Sequence, residues 1–304
     1  MHQFYRPRLT FNVAKLWSTV KASLPYLFSG FALVLYTEVD VVVISLLVDE
    51  QTVGWYGAAD RLFGTTLFLP VAIMASLFPT LTRTHKQAPE ELPPMFRRAF
   101  DIMLLFAVPI GLGMIVIAEP LVALLYGPAF APTAPVLAIN GLVIIFTYIT
   151  ILIGQYLVST DRQRTWGTVI LLMTALTIPL DLMLIPWGVQ NFNNGAIGGA
   201  MSFVVTELIM LTIGFRMLPK GALGWSTLRS AALIGLAGLG MAAVAWYLRP
   251  YFIAVPILAG AITYISLVLL LRVIPRADLD LILGMGRQAV NKVRRKVSRS
   301  PSAI

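Results

Sequence analysis

"VDVVVISLLVDEQTVGWYGAADRLFGTTLFLPVAIMASLFPTLTR", residues 39 to 83, is two apolar runs joined by a short polar link at Asp49, Glu50 and Gln51. The first run reaches back to residue 22 and the second covers 55 to 82. Each exceeds the roughly 20 residues that carry a helix across a bilayer, so the stretch predicts a helical hairpin in a membrane. Period-2 alternation is missing, which excludes barrel strands.

The rest of the chain repeats the pattern. Further apolar runs cover 98–118, 132–158, 166–187, 196–217, 229–248 and 251–273, giving about eight transmembrane helices. The 304 residues are 58% hydrophobic and 12% charged, far from the balance of a soluble domain. The expected fold is an all-α polytopic membrane bundle.

The net charge of +9 would suit a nucleic-acid partner, but its placement excludes that reading. Of 23 Lys and Arg residues, 21 fall at alternate connections and at the two ends, on one predicted side; only Arg61 and Arg249 do not. The positive-inside rule then puts both termini in the cytoplasm, with an even number of crossings. Tryptophans favour the headgroup level, and all six agree: Trp17, Trp166 and Trp225 at inner ends, Trp55, Trp187 and Trp246 at outer ends.

Four regions follow. Residues 1–21 form a basic, amphipathic cytoplasmic segment without the layout of a cleaved signal peptide. Residues 22–217 hold six helices, 218–273 two more, and 274–304 a basic cytoplasmic tail. The tail reads as an amphipathic helix on the inner leaflet or as a solvated extension. The polar stretch 84–98 is expected as the longest inner loop, and 119–135 as an outer segment packed at the interface. Pro70, Pro109 and Pro179 interrupt spans, where they kink helices and free carbonyls. Gly195 and Gly199 form a GxxxG pair suited to close helix packing.

A charged Asp, Lys or Arg at the bilayer centre costs roughly 2.5 to 3.5 kcal/mol, so each ionisable group inside a span calls for a reason. These are Glu38, Asp40, Asp60, Arg61, Asp181 and Glu207. If the first hairpin turns between Glu50 and Gln51, Asp40 and Arg61 lie at equal depth, with Glu38 a second acceptor deeper in. An ion pair that only fixes the hairpin and a substrate- or proton-binding role both fit that geometry. Asp60 points away from Arg61 and reaches towards the outer interface. Asp60, Asp181 and Glu207 read either as coupling groups or as structural carboxyls, the last two hydrogen-bonded to neighbouring helices. There is no cysteine, and the two histidines, His2 and His85, lie in cytoplasmic segments without metal-ligand spacing. No catalytic residue, metal or cofactor is therefore expected.

The opening stretch also carries a resemblance. It is similar to the start of the second half of polysaccharide and lipid-linked oligosaccharide flippases of the multidrug/oligosaccharidyl-lipid/polysaccharide exporter superfamily. "VGWYGAADRL" (53–62) with "LFPTLTR" (77–83) is closest to the MviN-like lipid II branch. "LLYGPAFAPTAPVLAI" (124–139) and "LMLIPWGVQNFNNGAIGGAMS" (182–202) are more like the general polysaccharide flippases.

The resemblance implies a non-enzymatic transporter of the cytoplasmic membrane, working by alternating access between two six-helix lobes. Its substrate would be a polyprenyl-diphosphate glycan, and Arg61 matches a position that binds the diphosphate. Asp40 and Glu38 join it as substrate-binding candidates only through the hairpin geometry. This chain corresponds to the second lobe plus two extra helices. The expected partners are membrane lipids, the lipid-linked glycan, and a missing N-terminal lobe, a partner subunit or a second copy. Alternative readings are a lipid II flippase-like or multidrug/cation antiporter relative, or a membrane enzyme or scaffold of envelope biosynthesis.

Overall fold

The computed structural model describes residues 13–219 and 221–273; the expectations for the first twelve residues and for the tail from 274 lie outside them. The elements are α1 (Val13–Leu47), α2 (Glu50–Thr66), α3 (Phe68–Gln87), α4 (Leu92–Tyr126), α5 (Thr133–Ser159), α6 (Gln163–Phe192), α7 (Gly195–Met217), α8 (Trp225–Tyr247) and α9 (Ala254–Leu270). All-α architecture is thus observed, with no strand among the described residues. Seven spans are long and apolar enough to cross a membrane, α2 and α3 together making one of them. The expected eighth, α9, has 17 residues and stands at the short limit of spanning length. Phe68, Leu46, Leu270 and Trp225 point outward from the bundle, as lipid-facing side chains do.

Helix α5 is the axis. Val136, Leu137, Ile144, Tyr148, Leu152, Ile153 and Leu157 are fully enclosed along it. Helices α4, α7, α2 and α3 surround it, α1 lies along α6, and the α8–α9 hairpin leans on α4. Lipid tails are as apolar as leucine, so close packing must hold these helices together. Small residues allow it. A Cβ on Gly111 of α4 would stand 2.4 Å from the Gly141 carbonyl oxygen of α5. One on Gly198 of α7 would stand 2.0 Å from the Leu184 carbonyl oxygen of α6. Gly199 receives Ile44 of α1 and Gly195 receives Val48 just after it, so the GxxxG face docks the end of that helix.

Two local readings change. The inner stretch 84–98 is almost wholly helical: α3 runs to Gln87 and α4 starts at Leu92, with only a turn of 3₁₀ helix (Pro89–Glu91) between. Pro93 and Pro94 fall in the first turn of α4, where a missing N–H costs nothing. The outer segment divides at Gly127, whose positive φ of 78° ends α4. It is pinned beneath α2 by Trp55 donating to the Ala129 carbonyl (3.1 Å) and by Thr133 donating to that of Trp55 (3.1 Å).

Prolines act through the carbonyls they free. Pro70 cannot donate to the Thr66 carbonyl, and the helix breaks there into α2 and α3. Buried Tyr148 of α5 donates its hydroxyl to that carbonyl at 2.7 Å. Pro109 leaves the Leu105 carbonyl without its N–H in the same way, and Tyr264 of α9 donates to it at 2.8 Å. Backbone groups in a bilayer need such substitutes, because no water replaces the lost bond. Pro179 sits within an α6 that runs unbroken from Gln163 to Phe192.

Candidate functional site

Polar residues inside the bundle gather on the seam between α1, α2, α6 and α7. On α1, Tyr36, Asp40 and Ile44 recur every four residues and share the buried face. On α7, Gly195, Gly199, Ser202 and Thr206 form one stripe, so the face that admits α1 goes on to present two hydroxyls. Asp181 projects from α6, two residues after Pro179.

These elements bring Asp40 against Asp181, with Ser202 beside Asp181, and with Tyr56 and Asp60 of α2 near Asp40. Asp181 and Ser202 are 0% exposed and Asp40 is 6% exposed. Asp40 Oδ1, both carboxylate oxygens of Asp181, and Ser202 Oγ make no hydrogen bond. Buried acceptors are normally satisfied, and two carboxylates facing each other cannot both stay ionised without a cation between them. The arrangement is chemically a receptor for positive charge, either protons or a metal ion. The donor set of two carboxylates and a hydroxyl is all oxygen, which suits a hard cation.

The expected pairing of Asp40 with Arg61 does not form. The hairpin turns at Val48 and Asp49, two residues earlier than expected. Asp49 caps α2, accepting from the Thr52 N–H at 2.7 Å, and that bond holds its carboxyl below the usual range. The earlier turn sets Asp40 level with Gly57 and Arg61 about one turn deeper. Moreover, α1 leaves α2 to lie along α6, which carries Asp181. Arg61 is exposed and makes no ion pair or hydrogen bond among the described residues. Glu38, also exposed, is not a second acceptor beside that pair but faces half-buried Asp60. Arg61, Glu38 and Asp60 therefore belong to the side of α1 and α2 that the other described residues leave uncovered.

Glu207 stands apart from the paired aspartates. It is 2% exposed and accepts hydrogen bonds from Thr150 Oγ1 (2.7 Å) and Tyr36 Oη (3.4 Å), anchoring α7 to α5 and α1. In the N-terminal halves of α1 and α6, Leu24, Phe28, Arg164 and Thr168 line a separate groove of about 320 Å³, with none of the buried carboxylates in its wall.

Sequence reasoning missed Tyr36, Tyr56, Ser202 and Thr150. A signal existed for two of them: "YTEVD" (36–40) and "YGAAD" (56–60) each place a tyrosine one turn before an aspartate. Both tyrosines are buried by the paired aspartates.

The family model described as "Polysaccharide biosynthesis protein" matches residues 1–135. The chain is 21% identical over 234 residues to the probable low-salt glycan biosynthesis flippase Agl15 of Haloferax volcanii, covering 74% of this chain and 48% of that protein. It is 26% identical over 244 residues to the probable flippase AglR of the same organism (75% and 49%). To the probable lipid II flippase MurJ of Haemophilus influenzae it is 25% identical over 248 residues (76% and 47%). Over about three quarters of its own length the chain is similar to these probable flippases. The fold agrees: a structure of a lipid II flippase MurJ in an inward closed conformation superposes with a TM-score of 0.66 at 18% identity, over 87% of this chain and 57% of that one. The chain spans about half the length of the curated flippases it matches.

Proposed function

We propose that this chain forms one half of a flippase that moves polyprenyl-diphosphate-linked glycans across the cytoplasmic membrane by alternating access. It is a transporter component and not an enzyme. The observation that carries the reading is the pair of buried, unsatisfied carboxylates Asp40 and Asp181 within the bundle. Such a pair holds a cation in one conformation and releases it in another, which is what coupling to an ion gradient or a membrane potential requires.

Arg61 supplies the complementary role. It is a guanidinium within a span, on an uncovered face, with no carboxylate partner among the described residues. Outside a complex its desolvation is uncompensated, and a bidentate diphosphate is the anion its planar fork fits best. The face it occupies, with Glu38 and Asp60, is where a second lobe, a partner subunit or another copy would close the cavity. The similarity to flippases over half their length supports that need for a partner.

The test uses the assembled transporter. Arg61→Ala is expected to abolish appearance of the lipid-linked glycan at the outer leaflet, with membrane insertion at the wild-type level. Undiminished glycan export in that variant would overturn the assignment.

A further inference from the structure

The proposed coupling pair leaves Glu207 unused, although it lies in the middle of α7 among hydroxyls. Its partner Thr150 also touches a backbone carbonyl of its own helix, as other helical threonines of this chain do. Thr150 Oγ1 lies 2.7 Å from Glu207 Oε2 and 2.8 Å from the Phe146 carbonyl oxygen. A hydroxyl carries one proton and cannot donate to both.

Two arrangements are self-consistent. With Glu207 ionised, Thr150 donates to Oε2, and the Phe146 carbonyl keeps its helical N–H bond. With Glu207 protonated, Oε2–H donates to Thr150, and Thr150 turns its own proton to Phe146. Tyr36 donates to Oε1 in either case. Thr147 Oγ1 is also beside Glu207, buried and without a partner, so one more hydroxyl stands ready. Passing between the two states takes one proton onto or off Glu207 and turns the Thr150 hydroxyl proton from one acceptor to the other.

The groups that surround it are few. From α1 come Tyr36 and, one turn on, Asp40; from α5, Thr147 and Thr150; from α7 itself, Thr206. Tyr56 and Asp60 of α2 and Asp181 of α6 act from the far side of Tyr36 and Asp40. No lysine, arginine or histidine pairs with Glu207 among the described residues. With no basic side chain beside it among the described residues, a proton on the carboxyl itself is the positive charge that these hydrogen bonds accommodate.

We propose that Glu207 is a proton-binding site of this lobe, separate from the paired aspartates, with Thr150 and Tyr36 holding it in both protonation states. This goes beyond the coupling pair and stands whether or not the chain moves a lipid-linked glycan.

The test is pH-difference infrared spectroscopy of the full chain in lipid nanodiscs, from about pH 4 to about pH 10. The wild-type protein is expected to show, besides any band of the paired aspartates, a protonated-carboxyl stretching band of Glu207 that disappears with a single midpoint. Glu207→Gln removes that band, whereas Asp40→Asn retains it. Thr150→Val keeps the band but displaces its midpoint by about one pH unit, because the hydroxyl that serves both states is gone. A Glu207→Gln spectrum identical to wild type would overturn the proposal. Should that variant fail to insert, Thr150→Val decides: unmoved midpoints on every carboxyl band overturn it equally.

Discussion

Asp40 and Asp181 illustrate how a membrane protein keeps costly groups only where their cost has a use. Neither has a basic partner among the described residues, so the pair adds no ion-pair stability to the fold. Replacing one carboxyl with its amide removes like-charge contact and supplies a donor to the other. Asp181→Asn is therefore expected to leave the thermal unfolding midpoint in detergent unchanged or raised, while glycan export is lost. A destabilisation of more than about 2 kcal/mol would show instead that the carboxylate has a structural partner. The sequence exposed both aspartates, since charges in apolar runs are conspicuous, but not their pairing. Equal-depth arithmetic presumes that successive helices stay together, and α1 lies against α6, whose Asp181 is 141 residues on from Asp40. Ser202 and Thr150 were hidden because a hydroxyl in a transmembrane helix is ordinary until its neighbours are known.

At the scale of the element, the two tyrosines bonded to proline-freed carbonyls set where helices bend. Tyr148→Phe leaves the Thr66 carbonyl without a partner in the bundle interior and is expected to cost about 1 to 2 kcal/mol. Pro70→Ala restores an N–H to that carbonyl, so the tyrosine then has less to satisfy. In the double variant, Tyr148→Phe is expected to cost less than half of what it costs alone. Equal costs in both backgrounds, measured by chemical unfolding in mixed micelles, would show that the hydroxyl and the proline act independently. The helices themselves were legible because unbroken apolar length admits little else. The split at Thr66 was legible only as a kink at Pro70. The inner stretch 84–98 was misread as a loop because polar, proline-bearing composition also describes a helix start.

The whole molecule has a packed side and an open one. Around α5 the helices are close enough for glycine to meet backbone, while no other described residues cover the face of α1 and α2 carrying Glu38, Asp60 and Arg61. The α8–α9 hairpin cannot cover that face, because it is held on α4, with Gly238 against Val108 and Leu112. The partner proposed for that face would approach it in a direction set by how these helices sit in the bilayer. Orientation is directly measurable because the chain has no native cysteine to mask a label. Gln87 and Gln190 are exposed at opposite ends of the bundle, one at the end of α3 and the other near the end of α6. If the basic ends face the cytoplasm, Gln190→Cys in intact cells reacts with a membrane-impermeant maleimide, and Gln87→Cys reacts only after the membrane is opened. The reverse pattern would invert the lobe, placing Asp40, which lies near the Gln190 end of α1, on the cytoplasmic side of the barrier. A coupling ion would then enter from the opposite compartment.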